Sequence, residues 1–352
     1  MHMYNKLYLS CFSALFLLQS SALLAEDFDV DMANVEPKAA VMAPLATKAL
    51  FTDVVTVGER GYAAVGDRGL IMLSADGQRW QQSVVPVQAL LTSVYFIDAD
   101  YGWAVGHDAT ILHTQDGGVT WQLQQFLPET DKPLMDIYFF NRQQGMAVGA
   151  YGMFYTTEDG GKNWQATFHL SLVSADDQDF LAELAETDPE GYLLERESVL
   201  PHFNRVTVQG EQILMVGEAG FVAVSDDAGQ NWRRLEEFYN GSLFDIHRTA
   251  TGSLLVAGLR GNVFRSSDDG DSWQEIELPV SATLHSIFED DAGHIYLTGN
   301  AGALLQSQDN GQRFTDLSQP DGRAILNGLP LAKNLILVTE TGIKLTPIGK
   351  SE

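Results

Sequence analysis

Carboxylates are the residues of this 352-residue chain whose spacing first suggests chemistry. Five stretches share one pattern: Thr114-x-Asp116-x-Gly118-x-x-Trp121, Thr157-x-Asp159-x-Gly161-x-x-Trp164, Ser225-x-Asp227-x-Gly229-x-x-Trp232, Ser266-x-Asp268-x-Gly270-x-x-Trp273 and Ser307-x-Asp309-x-Gly311-x-x-Phe314. Ser74-Ala75-Asp76-Gly77-Gln78-Arg79-Trp80 is a version one residue shorter. Acids at this spacing invite a calcium-loop reading, but the bidentate glutamate that such a loop requires is missing. The other reading is structural. Each aspartate accepts backbone N–H groups across a turn, glycine supplies the left-handed residue, and the aromatic buries its area between neighbouring units. On that reading Asp76, Asp116, Asp159, Asp227, Asp268 and Asp309, with Trp80, Trp121, Trp164, Trp232, Trp273 and Phe314, are scaffold.

Other chemistry is sparse. No H-x-H, HExxH or CxxC occurs, and the histidines are scattered, so no metal site is expected. No G-x-S-x-G elbow is present. A glycosidase needs two carboxyl groups about 5–10 Å apart, one with a raised pKa. With 47 acidic residues chance proximity is guaranteed, so no catalytic pair can be named. The expectation is no catalytic residue and no cofactor.

The elements that carry these turns repeat. Val65-Gly66, Val105-Gly106, Val148-Gly149, Val216-Gly217, Ala257-Gly258 and Thr298-Gly299 each precede one of the six aromatics at a near-constant interval. The aromatics themselves stand at positions 80, 121, 164, 232, 273 and 314. One wide interval aside, that is a period of about 41 residues, which with short apolar runs belongs to propeller blades. Each unit reads as four strands, with a glycine-closed turn between the second and third and the acidic turn between the third and fourth. A seventh unit, residues 325–346, lacks a fourth strand, and residues 40–46 are free to supply it and close the ring. The fold class is therefore all-β: a single seven-bladed β-propeller of four-stranded blades spanning 44–347, preceded by a linker and closing strand over 26–43 and followed by a tail over 348–352.

The wide interval, between Trp164 and Trp232, holds a helical insert, about 171–200, between blades 3 and 4. It carries nine acids against one base, Arg196. Phe180, Leu181 and Leu184 share a helical face, Asp188-Pro189 stops that helix, and Tyr192-Leu193-Leu194 suits a second short one. Topology puts the insert on the face that carries the turns between second and third strands, opposite the acidic turns. Those turns, usually closed by a glycine, present a different pair in each blade, among them Asp67, Arg68, His107, Asp108, Tyr151, Glu218, Arg260 and Asn300. Variety on a constant frame marks this as a partner-binding face.

The first 25 residues read as a secretory signal: Lys6, an apolar run from Leu7 to Leu18, then small residues up to Ala25. The one cysteine, Cys11, lies inside it, so no disulfide is expected afterwards. No apolar stretch long enough to span a membrane follows. A net charge of −26 should repel nucleic acid and anionic lipid, leaving a protein partner. An exported, periplasmic (or thylakoid-lumen equivalent) monomer is expected.

Two resemblances bear on this. The acidic turns resemble the Asp-box, or bacterial neuraminidase repeat, which also decorates sialidases and some β-glucanases; a glycosidase or carbohydrate-binding propeller is thus the alternative. The sialidase F-R-I-P stretch is absent, with Phe51-Thr52-Asp53-Val54 standing in its place. Residues 44–347, through units such as Gly102-Trp103-Ala104-Val105-Gly106 followed by Thr114-Gln115-Asp116-Gly117-Gly118-Val119-Thr120-Trp121, resemble the photosystem II stability/assembly factor family of propellers. That resemblance implies a lumenal or periplasmic, non-catalytic factor that helps to assemble membrane complexes. For relatives in non-photosynthetic bacteria it implies association with export machinery of the resistance-nodulation-division type. Of the arginine-rich patch used by photosynthetic members, only Arg68 and Arg260 occupy comparable turn positions here.

Overall fold

Alternating apolar runs of four to seven residues, broken by turn residues, can bury both faces only by stacking sheets side by side around an axis. A computed structural model shows that arrangement; it describes residues 35–210 and 212–348. The expected signal segment lies outside the described residues. Seven antiparallel blades surround a central axis, and the chain fills each blade from the inside outward. Blade 1, for example, runs Phe51–Thr56, Tyr62–Gly66, Ile71–Ser74 and Gln81–Gln82. The innermost strands follow one another around the hub, and that of blade 7, Ile325–Leu331, packs against that of blade 1.

The core is divided among seven clusters, each shared by two adjoining blades. Trp121 of blade 2 packs with Val65 and Ile71 of blade 1. Trp232 of blade 4 packs with Met146 and Phe154 of blade 3. The six repeat aromatics thus lie where the spacing expects them, at blade-to-blade contacts. Burial of side chains this large, about 150–250 Å² each, dominates the cohesion of the ring.

The glycine that ends the second strand of the first six blades is set by close approach rather than by turn geometry. Gly66 is extended, with φ −177°, and needs no left-handed freedom. A Cβ there would lie 2.1 Å from the Leu50 carbonyl oxygen, so close approach to the innermost strand is what excludes a side chain. The second glycine, Gly69 at φ +69°, is the one the turn geometry demands.

The closing strand expected at 40–46 is not formed. Blade 7 has three strands among the described residues, ending in Gly342–Pro347. Residues 35–43 satisfy their polar groups on blade 1 instead. Ala40 N–H donates to the Val85 carbonyl (2.9 Å), and the Gln82 amide bonds both Val41 O and Ala43 N (2.9 Å each). Only a short turn, Ala46–Lys48, lies against the last strand of blade 7. Among the described residues the seam has no shared sheet. Ile336 and Val338 of blade 7 bury with Phe51, Val54, Ala64 and Met72 of blade 1.

The insert forms two helices, α1 (Ala175–Thr187) and α2 (Pro189–Glu195). Ser174 caps α1 by accepting from Asp177 N–H, and Asp188 caps α2 by accepting from Gly191 N–H. Proline at the first position of α2 removes an N–H that has no helical partner there. Leu181 is buried beside Leu172, Val173 and Leu200, whereas Phe180 faces outward. The buried stripe of α1 is narrower than its apolar pattern suggests.

Candidate functional site: the insert-bearing face and its hub

The hub is polar. Two residues into each innermost strand stands one member of a ring: Asp53, Ser93, Asp136, Arg205, Asp245, Ser286 and Asn327. Ser93 Oγ donates to Asp136 and to Asp53 (2.7 and 3.2 Å). The Arg205 guanidinium reaches Asp245 at 3.3 Å and Asp136 at 3.6 Å. Ser286 donates to Asn327, which donates to Asp53. The gap between Asp245 and Ser286 is spanned by Ile287 N–H, which donates to Asp245 (2.7 Å). Burial pushes Asp136 upward against the pull of Arg205, Val206 N–H and Ser93. Burial also works against the charge on Arg205, but Asp245, Asp136 and Asp53 outweigh it and hold its pKa above the usual range.

On the insert side this ring lies under a small mouth of about 170 Å³, lined by Thr52, Thr92, Met135, Asn204, Phe244, His285 and Leu326 as well as Asp53 and Arg205. That is below the roughly 300 Å³ at which small-ligand pockets begin. Its polar lining is already engaged: Thr52, Thr92 and Asn204 donate to Leu91 O, Leu134 O and Leu243 O of the next blade (2.7–2.8 Å). The three hub aspartates each accept two or more hydrogen bonds from the frame, which fixes their carboxylates in place.

The variable turns encircle this mouth. In every blade the first residue after the second strand donates its N–H to a carbonyl at the start of the innermost strand: Asp67 to Leu50, His107 to Leu90, Ala150 to Pro133, Glu218 to His202, Leu259 to Ser242, Asn300 to Thr283 and Glu340 to Ala324. The anticipated residues are therefore on one face. Arg68, His107, Tyr151, Arg260 and Asn300 are exposed, and Asp67, Asp108 and Glu218 half-buried. Arg68, Asp108, Tyr151 and Arg260 sit at φ between +51° and +59°, so the frame holds their backbone in one left-handed state. Neighbours add order. Tyr151 meets His202 edge-on at 4.5 Å, His202 faces Glu218 at 3.5 Å, and Asn300 Oδ1 is 2.8 Å from His285 Nε2.

The insert joins this face at blade 3. Gly152 N–H donates to Pro201 O (2.9 Å), and Lys132 Nζ donates to the Glu197 carbonyl (3.0 Å). A cleft of about 750 Å³ opens between the insert and the blade 3 rim, walled by Tyr151, Met153, Tyr155, Phe168, Leu193 and Arg196 among others. Sequence reasoning did not find this cleft. Nor did it find the hub ring, although the polar residue recurring two positions into each first strand was a visible signal.

The acidic turns lie on the other face, beside the turns between first and second strands: Gly117 N–H bonds Asp100 O, and Gly160 N–H bonds Gln143 O. In each, the Asp closes its own loop. Asp116 accepts from Thr120 N–H (3.0 Å) and Thr120 Oγ1 (2.6 Å), while Thr114 Oγ1 accepts from Gly118 N–H (2.9 Å). Hydrogen bonds from the Ser272 and Ser266 hydroxyls and Ser272 N–H hold Asp268 down to about 2. The bonding capacity of these carboxylates is spent on the fold.

Together these features define a class: a rigid ring with one constant face of self-closed acidic turns and one variable face built around a closed hub. Within that class the chain resembles the photosystem II assembly factor propellers. A family profile described as Photosynthesis system II assembly factor YCF48 matches residues 72–133. The photosystem II assembly protein Ycf48 of Thermosynechococcus vestitus is 33% identical over 61 residues, which is 17% of this chain and 18% of that protein. Its counterpart in Synechococcus sp. (strain JA-3-3Ab) is 44% identical over 48 residues, 13% of this chain and 14% of that one. The matched stretches therefore span less than a fifth of these relatives. The fold likeness extends much further. YCF48 bound to D1 peptide superposes with a TM-score of 0.66 at 22% identity, covering 90% of this chain and 98% of that one. A xyloglucanase of glycoside hydrolase family 74 from Xanthomonas campestris gives 0.63 at 14%, covering 86% and 52%. At these identities both establish the fold alone.

Proposed function

We propose that this chain is an exported, non-catalytic scaffold that holds a protein partner on the insert-bearing face of its ring, as an assembly or accessory factor for a membrane-associated complex. The observation that carries this is the contrast between frame and display. Seven turns share one hydrogen-bond anchor, and in six of them the second residue is left-handed (Arg68, Asp108, Tyr151, Ala219, Arg260 and Ala301), yet each presents different side chains around a mouth too small for a substrate pocket. Exposed Arg68, Tyr151, Arg260 and His107, spread over a broad surface, are the residue types that anchor protein interfaces. The peptide-bound YCF48 propeller, which shares the fold, supports the same use of the ring.

Export rests on the charge and apolar run of the first 25 residues. Among the described residues no helix is long and apolar enough to cross a membrane, so attachment to a complex would come through the partner. An export assembly of a non-photosynthetic host suits the acidic surface better than a photosystem does, because the arginine patch is reduced to Arg68 and Arg260.

Affinity capture from host membranes with the wild-type ring and with the variant Arg68→Glu/Tyr151→Ser/Arg260→Glu tests this. One membrane-complex subunit retained by the first and lost by the second is the expected result. Turnover of xyloglucan or of a sialoside by the purified protein, abolished by a single carboxylate substitution, would refute it.

A further inference from the structure

We propose that the cleft between the insert and blade 3 binds an extended segment of the protein partner through a side-chain carboxylate flanked by apolar residues. The proposal rests on the protein-binding reading above and narrows it to one subsite and one ligand chemistry.

Two half-buried cations line the cleft, Arg196 at the end of α2 and Lys132 in the connection from blade 2 to blade 3. The chain carries 47 acidic residues, yet neither cation forms an ion pair among the described residues. Glu129 and Glu197 also line the cleft, both exposed and neither in an ion pair with these cations. The Arg196 guanidinium lies 4.4 Å from the Phe168 ring centre and 5.4 Å from that of Tyr192, and its Nε is buried with no hydrogen-bond partner. An arginine stacked on an aromatic face keeps its in-plane N–H donors for a carboxylate, which it can hold through two parallel bonds. Lys132 Nζ lies 5.2 Å from the Tyr151 ring centre and spends one donor on Glu197 O, leaving two.

The walls select what accompanies that carboxylate. Leu193 is 59% exposed and Tyr151 47%, and with Met153, Tyr155 and Phe168 they leave an apolar floor open to solvent. A cleft of about 750 Å³ takes several side chains of an extended segment. The unspent donors of Arg196 and Lys132 favour an acid beside them, whereas the chain's net charge of −26 disfavours one across most of the surface. That contrast fixes the register of the bound segment.

Panning a phage library of random dodecapeptides, displayed without free C-termini, against the full-length protein tests this. The expected result is enrichment of Asp or Glu next to aliphatic or aromatic residues. Arg196→Gln and Lys132→Gln should each weaken the enriched peptides about tenfold, a change readily resolved in Kd. Leu193→Ser should weaken them through the apolar contact, and keeps the test open if the Arg196 variant does not fold; thermal unfolding reports on each variant. Enriched peptides without an acid, or peptides indifferent to all three substitutions, overturn the cleft. If capture of such peptides depends instead on Arg68 or Arg260, the protein-binding face survives that failure. Displacement of the peptides by a xyloglucan oligosaccharide would make the cleft a glycan site and sink both readings.

Discussion

Asn327 and Asp53, 274 residues apart in sequence, are hydrogen-bonded side chain to side chain across the seam between the last blade and the first. Both are buried, and each also accepts a bond from a neighbouring backbone N–H. Among the described residues no strand is shared across that seam. The polar hub and the apolar cluster around Ile336 and Phe51 close the ring in its place. Asn327→Leu removes the donor and leaves a buried carboxylate short of a partner, at a cost of about 2–4 kcal/mol. A lowered urea midpoint checks this, and a variant as stable as wild type would show that the seam does not depend on the hub ring.

Arg205 is the one cation within the ring of seven hub residues. Arg205→Met should destabilise by about 3–5 kcal/mol at neutral pH, since Asp136 and Asp245 are then buried without compensation. The penalty should shrink as pH falls. Burial already raises the Asp136 pKa, so without its guanidinium this group takes up a proton first and sheds the unpaired charge. Urea titrations at pH 7 and pH 5 compare the two. Equal penalties would contradict the assignment.

Acid should unfold the ring in two stages. Burial lowers His113 from 6.5 to about 4, and its ring, stacked on Trp103, has no partner at Nε2. The unfolded chain therefore binds the extra proton first, and stability declines as pH falls from about 6.5 to 4. Asp268 and Asp309 are held down to about 2, with Asp76, Asp116, Asp159 and Asp227 lowered in the same sense by their turn hydrogen bonds. Their contribution is complete above the ordinary carboxylate pKa and is lost as pH falls from about 4 towards 2. Thermal midpoints measured against pH should show a shallow decline and then a steep one. His113→Gln should reduce the first stage, to which the burial-lowered His169 and His285 also contribute, and leave the second unchanged.

Glycine positions separate conformational cost from contact cost. Gly220 has φ +67°, and a Cβ there would sit 1.5 Å from the Tyr239 carbonyl oxygen; Gly322 has φ +65° with nothing within 4 Å. Gly322→Ala should cost about 1–2 kcal/mol, the left-handed penalty by itself. Gly220→Ala should cost well over about 3 kcal/mol, because the turn must leave its frame. Similar melting temperatures for the two would show that the turns yield.

Blade number, turn positions and inter-blade aromatics were legible in the sequence because each depends on local spacing. The Val-Gly-type pairs and Trp80 to Phe314 mark six of the seven blades directly, and the strand pattern over 325–346 marks the seventh. The closing strand was misplaced because an edge at a seam is satisfied non-locally. Residues 40–46 had no competing signal, and only the fold shows that Gln82 and Val85 engage that segment. Phe180 shares a helical face with Leu181 and Leu184 yet stays exposed, because an i, i+4 pattern defines a face, but not how much of it the blade covers. The cleft was invisible because Lys132 and Arg196 lie far apart in the chain and meet only when the insert folds back over blade 3.

Photo-crosslinking in the native host tests the central claim most directly. A crosslinking amino acid at position 151 or 260 marks the insert-bearing face, and one at 79 or 312 marks the opposite face. A common membrane-complex subunit captured from 151 and 260 but not from 79 or 312 is the result this structure predicts. Capture of that subunit equally from both faces, or from the acidic-turn face alone, would contradict it.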